Sequence, residues 1–312
     1  MSESFDLAPK SPRPRAQTPR RTSERARRSQ SPSAPLPTII LGDVHGDLDG
    51  LVETLQHAGL LDSRRRWCGG RGRLVQLGDC VDRGRHSIEV LDLLRRLQDE
   101  AARDGGEVVR LLGNHELELM RDCDAYARNL PSPRRVGARL RDEAAEGRLH
   151  AAAEVHGWLC LHGGLQPALG RQFRVEAREA GHGKGTRALV AHANQLLRAA
   201  AVTRDFSHAY FDRDEGALWT YAHDLVASAG ARRIPQIVGH SVNHSPFGRD
   251  GILTADQGLS YAMCGVRSYL SMDADSVRWT ASRQGGPWLR ETRALADLWV
   301  HRMTTTSEAH AA

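Results

Sequence analysis

The chain has 312 residues, of which 40% are hydrophobic and 26% charged; these are globular values that exclude wholesale disorder. No run approaches 18 apolar residues, which excludes a transmembrane helix, and the basic N-terminus lacks the apolar segment of a secretory signal. Five cysteines with no CxxC pair argue against a disulfide framework and favour a reducing, cytoplasmic setting.

The net charge of +5 belongs to one end. Residues 1–37 hold eight Lys/Arg and three acids, so the rest of the chain is electrically balanced. This stretch is rich in Pro, Ser and Arg and cannot bury enough apolar area to offset its ordering entropy, so it reads as a disordered tail. Ser11-Pro12, Thr18-Pro19 and Ser31-Pro32 have the form of proline-directed phosphorylation sites. Organelle targeting stays open, although Glu3, Asp6 and Glu24 count against a transit peptide.

From Thr38 short apolar runs alternate with helical patterns. Strands are predicted at 38–41, 73–77 and 108–112, with helices at 47–58 and 87–102 between them. In the second helix Ile88, Leu91, Leu94 and Leu97 recur at helical spacing. Such βαβ units imply a mainly parallel sheet. Residues 122–156 and 171–233 read as mostly helical. Further strands are predicted at 158–161, 236–238, 252–255, 267–272 and 277–281, the last of them antiparallel because no helix intervenes. The domain expected from these elements covers 38–300, followed by a flexible end at 301–312.

The loops at the ends of the strands carry the chemistry. They read Gly42-Asp43-Val44-His45-Gly46, Gly78-Asp79-Cys80-Val81-Asp82-Arg83-Gly84, Gly113-Asn114-His115-Glu116, His162-Gly163-Gly164 and Gly239-His240. The carboxyl ends of strands in an open α/β sheet line the ligand crevice, so all five loops can converge. Any one of them reads equally well as an ordinary turn; five in order do not. Asp43, His45, Asp79, Asn114, His162 and His240 offer oxygen and imidazole but no thiolate, a set suited to manganese, with iron or zinc as alternatives. Six donors exceed the needs of one tetrahedral ion. They suit two divalent ions sharing a carboxylate, the arrangement that clamps an in-line displacement at phosphorus.

These blocks resemble the signatures of the phosphoprotein phosphatases, a family of calcineurin-like metallophosphoesterases. The resemblance implies a mixed α/β fold with a central β-sandwich flanked by helices, and hydrolysis of phosphomonoesters on phosphoprotein or phosphopeptide substrates by direct attack of a water or hydroxide bridging two metals. Carried over, Asp43 and His45 bind the first ion, Asp79 bridges, and Asn114, His162 and His240 bind the second. His115 becomes the general acid, Asp82 orients it, and Arg83 grips the phosphate. Leu112 stands where animal Ser/Thr phosphatases usually carry arginine, and Asp256-Gln257-Gly258-Leu259-Ser260 resembles a segment of bacterial-type members. With Asp47, these features are most similar to the Shewanella-like branch. The same loops leave a dinucleoside-tetraphosphate hydrolase as the alternative, disfavoured by Glu116 and Gly163.

Weaker signals are ranked below these. A second phosphate-binding arginine is expected, with Arg213 and Arg249 as candidates. Gly181-His182-Gly183-Lys184-Gly185-Thr186 lacks the Ser/Thr and preceding strand of a P-loop and reads as an exposed loop. His156, His192, His208, His223 and His244 read as surface or core histidines. Asp256 reads equally as a residue behind a metal-bound histidine or as a turn residue. Trp219 and Tyr221 are candidates for a cleft wall, with core packing as their ordinary role. Nucleic-acid binding is expected, if anywhere, only from the basic tail.

Overall fold

The structure is a computed structural model, and it describes residues 37–228, 234–243, 247–260, 263–283 and 286–302. The basic tail except Pro37, the chain end beyond 302 and His244 lie outside the described residues.

Two sheets are built from the chain in succession. The first half supplies β1 (Thr38–Leu41), α1 (Leu48–His57), β2 (Arg73–Gln76), α2 (Ser87–Arg103), β3 (Glu107–Leu111), α3 (Asn114–Met120), α4 (Pro133–Ala145) and β4 (Leu149–His150). Next come β5 (Ala153–Val155), β6 (Trp158–Leu161), α5 (Pro167–Glu179), α6 (Thr186–Thr203) and α7 (Ala222–Ala227). The chain ends in β7 (Gln236–Val238), β8 (Gly248–Arg249), β9 (Ile252–Thr254), β10 (Val266–Met272), β11 (Ser276–Arg283) and β12 (Leu289–Ala294).

The larger sheet runs β12-β11-β10-β1-β2-β3-β4, and the smaller β5-β6-β7-β9-β8. β1 to β4 are parallel, as their helical crossovers require. β11 is antiparallel to both β10 and β12, as expected for strands joined without helices. One apolar cluster joins Ile40, Val75, Leu77 and Val109 of the larger sheet to Cys160, Ile237 and Leu253 of the smaller, so the sheets face each other as a sandwich. A second, larger cluster lies under the helices. There Leu91, Leu94 and Leu97 of α2 are fully buried, each worth about 1.5–3 kcal/mol of apolar transfer.

One helical expectation fails. Of residues 122–156 only α4 and a single 3-10 turn at Asp124–Tyr126 are helical, while β4 and β5 are strands. The Asn194 side chain explains part of it: Oδ1 accepts from the Ala151 and Ala152 N–H groups at 2.7 and 3.1 Å, and Nδ2 donates to Ala152 O at 3.1 Å. This amide clamp holds an alanine run extended against its own helical propensity. In 171–233 helices do dominate, as α5, α6 and α7. Gly181, Gly183 and Gly185 all have positive φ in the loop before α6, so no phosphate-cradling strand–loop–helix forms.

Candidate metal centre and catalytic pair

Every proposed site residue sits just past the carboxyl end of a strand: Asp43 and His45 after β1, Asp79, Asp82 and Arg83 after β2, Asn114 and His115 after β3, His162 after β6, His240 after β7. The turns are sharp. His45, Asp79, Asp82, Arg83 and His240 are all non-glycine residues in the left-handed region, with φ of 45, 53, 67, 63 and 58°. Backbone held this way stores strain, and its concentration in three loops marks the place where geometry is over-determined. Gly113 allows the tightest approach, because a Cβ there would lie 2.1 Å from Asp79 Oδ1.

Glu116 sutures two of these loops, a role the sequence did not reveal. Its carboxylate accepts from the N–H groups of Asp79, Cys80, Val81 and Gly113 at 2.8, 2.7, 3.1 and 3.0 Å. With its lone pairs so engaged it holds the turn of Asp79 rather than an ion. Another tie missed in the sequence joins the first loop to β10: buried Arg267 donates to Asp47 Oδ2 at 3.1 Å and to Leu259 O at 2.8 Å.

Two overlapping clusters result. The ligand atoms of His45, Asp79 and His115 lie within 4.8 Å of one another, as do those of Asp79, His162 and His240. Asp79 belongs to both. Asp43 stands beside them, Oδ2 lying 3.7 Å from His45 Nε2 and Oδ1 3.8 Å from His162 Nδ1.

The tautomers settle what these groups offer. His45 Nδ1 faces Val81 O at 3.0 Å and His162 Nδ1 faces Leu77 O at 2.9 Å. A carbonyl can only accept, so each Nδ1 carries the proton and each Nε2 points a lone pair into the site. Burial keeps both rings neutral, far below the usual imidazole range. The lone pairs face carboxylates: His45 Nε2 is 3.6 Å from Asp79 Oδ2, and His162 Nε2 is 3.5 Å from Asp79 Oδ1. His240 Nε2 is buried without a hydrogen-bond partner. Acceptors turned towards acceptors in a dry place are satisfied by cations, so the residues fit a divalent pair. The Asn114 amide fits two opposite needs according to which end faces inward. Nitrogen inward, it donates to Asp79 at 3.1 and 3.2 Å and its oxygen accepts from Trp219 Nε1 at 3.3 Å, which suits a pocket without cations. Oxygen inward, 2.9 Å from His162 Nε2, it adds a further ligand.

Charge tells the same story. Burial, then the charges of Asp256 and Asp79, raise Asp43 well above the carboxylate range. Burial raises Asp79 to about 7 and Asp256 to about 6. His240 falls to about 4, through burial and the charge of His115. Asp256, 2% exposed, accepts from no ring among the described residues: Oδ1 accepts from Gly258 N at 2.8 Å, while Oδ2 is buried without a partner.

The first cluster also contains a second kind of histidine. His115 Nδ1 is 3.0 Å from Asp82 Oδ2, forming an ion pair although the two atoms are not aligned for a straight hydrogen bond. Burial opposes its charge, but Asp79 and Asp82 prevail and raise its pKa. Burial likewise pushes Asp82 upward, yet contact with His115 and the Arg83 and Arg128 N–H groups holds it at about 2. Tyr126 stands edge-on to the His115 ring, centroids 4.6 Å apart, and Arg128 N donates to Asp82 Oδ1 at 2.9 Å. Arg83 is half-buried, and its charge pulls Asp43 and Asp79 downward.

The weaker candidates separate. Arg213 donates from Nε to Glu118 Oε1 at 3.0 Å, and Arg249 Nε is 3.5 Å from Asp250 Oδ2, so both already hold carboxylates. His192 and His208 share Glu176 at 3.2 and 3.3 Å, and His223 pairs with Asp224. Trp219 and Tyr221 do border the site, the first against Asn114 and the second with its ring 4.8 Å from that of His240.

Comparisons with known proteins agree with this geometry. Over 79 residues the chain is 44% identical to Shewanella-like protein phosphatase 2 of Arabidopsis thaliana, covering 25% of this chain and 20% of that protein. Over 97 residues it is 37% identical to the symmetrical bis(5'-nucleosyl)-tetraphosphatase of Cronobacter sakazakii, covering 31% of this chain and 29% of the other. The chain thus aligns with less than a third of the length of either relative. In fold it is similar to the cold-active protein-tyrosine phosphatase of a psychrophilic Shewanella, with a TM-score of 0.57, 22% identity and coverage of 83% and 80%. Residues 36–244, which contain all nine expected site residues, match the calcineurin-like phosphoesterase family, and the chain belongs to that family.

Proposed function

We propose that the chain is a metal-dependent protein phosphatase of the Shewanella-like branch, hydrolysing phosphomonoesters on phosphoproteins. The observation that carries this reading is the sharing of Asp79 between two imidazole clusters, one of which contains the His115 that pairs with Asp82. Asp43, His45 and Asp79 hold one divalent ion; Asp79, Asn114, His162 and His240 hold the other. Donors of oxygen and imidazole without thiolate favour manganese. When bound, such a pair supplies Lewis acidity and lowers the pKa of water.

The remaining steps belong to side chains. Asp82 keeps His115 protonated, so its imidazolium donates a proton to the leaving oxygen as the ester bond breaks. Arg83 holds the phosphate through its planar fork of donors. Tyr126 packs on the acid's ring and limits water there. The free thiols of Cys68, Cys80, Cys123 and Cys160 are compatible with a reducing compartment, and no described helix is long and apolar enough to cross a membrane.

The likeness to a symmetrical tetraphosphatase supports a second reading, cleavage of diadenosine tetraphosphate. Rates on phosphoserine, phosphothreonine and phosphotyrosine peptides, measured beside that nucleotide with added manganese, decide between them. The phosphatase reading requires faster turnover of the peptides; turnover of the nucleotide alone contradicts it.

A further inference from the structure

Next to the phosphate-binding Arg83 lies an open cleft of about 450 Å³, lined by Gly46, Asp47, Asp49, Arg85, His86 and Asn129 among others. Its charges are unevenly answered. Asp47 accepts from Gly50 N at 2.8 Å and from Arg267 at 3.1 Å, so its carboxylate is engaged inside the fold. Asp49 turns outward and lies 3.9 Å from Arg65. Arg85 is exposed, and neither it nor Arg83 makes an ion pair among the described residues. Among the described residues the His86 ring pairs only with Glu89, at 3.5 Å.

The cleft is also firmly placed relative to the chemistry. Gly84 N donates to His45 O at 2.9 Å, and His86 N donates to Gly46 O at 3.1 Å, so the backbone on both sides of Arg85 is tied to the loop of His45. A Cβ on Gly84 would lie 2.3 Å from His45 O, which fixes how closely these loops approach. Two steps along the chain span at most about 7 Å, which is also the reach of two residues in an extended peptide. Both Arg83 and Arg85 line the cleft, so acidic side chains within about two positions of the phosphorylated residue are the ones to test at Arg85.

We propose that this cleft is a specificity subsite for an acidic side chain flanking the phosphorylated residue, with Arg85 as its principal cation. The proposal rests on the protein-phosphatase reading and narrows it to substrates with Asp or Glu beside the phosphorylated residue. Asn129, whose Nδ2 donates to Arg83 O at 3.0 Å, stands at the rim.

The test uses the full-length manganese-loaded protein and a phosphopeptide series with Glu or Ala at positions −2, −1, +1 and +2. For at least one position, the Glu peptide is expected to have a KM about fivefold below its Ala counterpart, the size of one partly exposed ion pair. Arg85→Gln brings that ratio close to one, Arg85→Lys keeps most of it, and added salt erodes it in the wild type. Equal KM values for Glu and Ala peptides at all four positions, or an undiminished ratio in Arg85→Gln, overturn the subsite while leaving the phosphatase reading intact. No turnover of any phosphopeptide, with diadenosine tetraphosphate still cleaved, overturns that reading and the subsite with it.

Discussion

Two groups of carboxylates are buried in this fold, and their charge balance is opposite. Glu143 of α4, 1% exposed, is met by three arginines: Arg110 Nη1 at 2.7 Å, Arg95 Nη1 at 2.9 Å and Arg139 Nε at 2.9 Å. Burial pushes its pKa up, but the arginines outweigh burial and bring it to about 2. Asp43, Asp79 and Asp256 are as deeply buried, yet no arginine forms an ion pair with any of them among the described residues, and burial lifts all three. A structural ionic cluster closes its own charge. The loop site leaves a deficit of positive charge where imidazole lone pairs also converge, and that deficit is the physical signature of a place built for cations.

The contrast can be broken most severely at the shared carboxylate. Asp79→Asn keeps the shape and removes the charge common to both clusters; kcat/KM on p-nitrophenyl phosphate is expected to fall by about a thousandfold or more. A fall of less than tenfold contradicts a bridging role.

Stability should respond with opposite signs in the two regions. Glu143→Ala leaves Arg110, 1% exposed, without its carboxylate and is expected to cost about 3–5 kcal/mol in urea unfolding. Asp256→Asn removes a buried charge whose Oδ2 has no partner, and in protein stripped of metal at pH 8 it is expected to add about 1–3 kcal/mol. If both variants lose stability under those conditions, the two clusters do not differ in the way described.

Proton linkage sharpens the same contrast. Asp79 and Asp256 have folded pKa values raised above the ordinary carboxylate, to about 7 and about 6. The native state therefore holds protons that the unfolded chain has lost, and stability falls as pH rises from about 4 to 7. In chelated protein Asp79→Asn should accordingly change the melting temperature more favourably at pH 8 than at pH 6 relative to the parent, a comparison that cancels the opposing contribution of the buried neutral histidines. Glu143 has the reverse sign. Its folded pKa is depressed, so its contribution is present above the unfolded value and is lost as pH falls from about 4.5 towards 2. Thermal melts across pH with and without chelator read both limbs.

The smallest expected effect concerns His115. Asp79 and Asp82 raise its pKa against burial, so Asp82→Asn should lower it and move the alkaline limb of the pH–rate profile down by about one unit. An unmoved limb with reduced kcat would give Asp82 a purely structural part.

How much of the molecule was legible in the sequence depends on the range of the interactions. The five loops could be read because glycine, carboxylate and imidazole stand within a few residues of one another and just after apolar runs. The parallel and antiparallel halves of the larger sheet can be inferred from the presence or absence of helical crossovers. Glu116 was in plain view within a motif, but its grip on the Asp79 loop spans 36 positions to Cys80 and needed coordinates. The Arg267–Asp47 tie and the contacts of Arg95 and Arg110 with Glu143 join charges far apart in the chain; only Arg139, four residues before Glu143, is local, and that spacing alone reads as a solvated helix pair. β12 was missed because Leu289–Ala294 is polar and mostly exposed, an edge strand held by pairing with β11. The helical reading of 149–155 erred because propensity cannot see Asn194 across the fold.

The most direct measurement is the ion content of the folded chain. Purified protein equilibrated with manganese and passed through a desalting column should carry two ions per chain by elemental analysis, and Asp79→Asn should carry fewer than one. Retention of two ions by that variant, or of none by the parent, would contradict a pair of cations sharing Asp79.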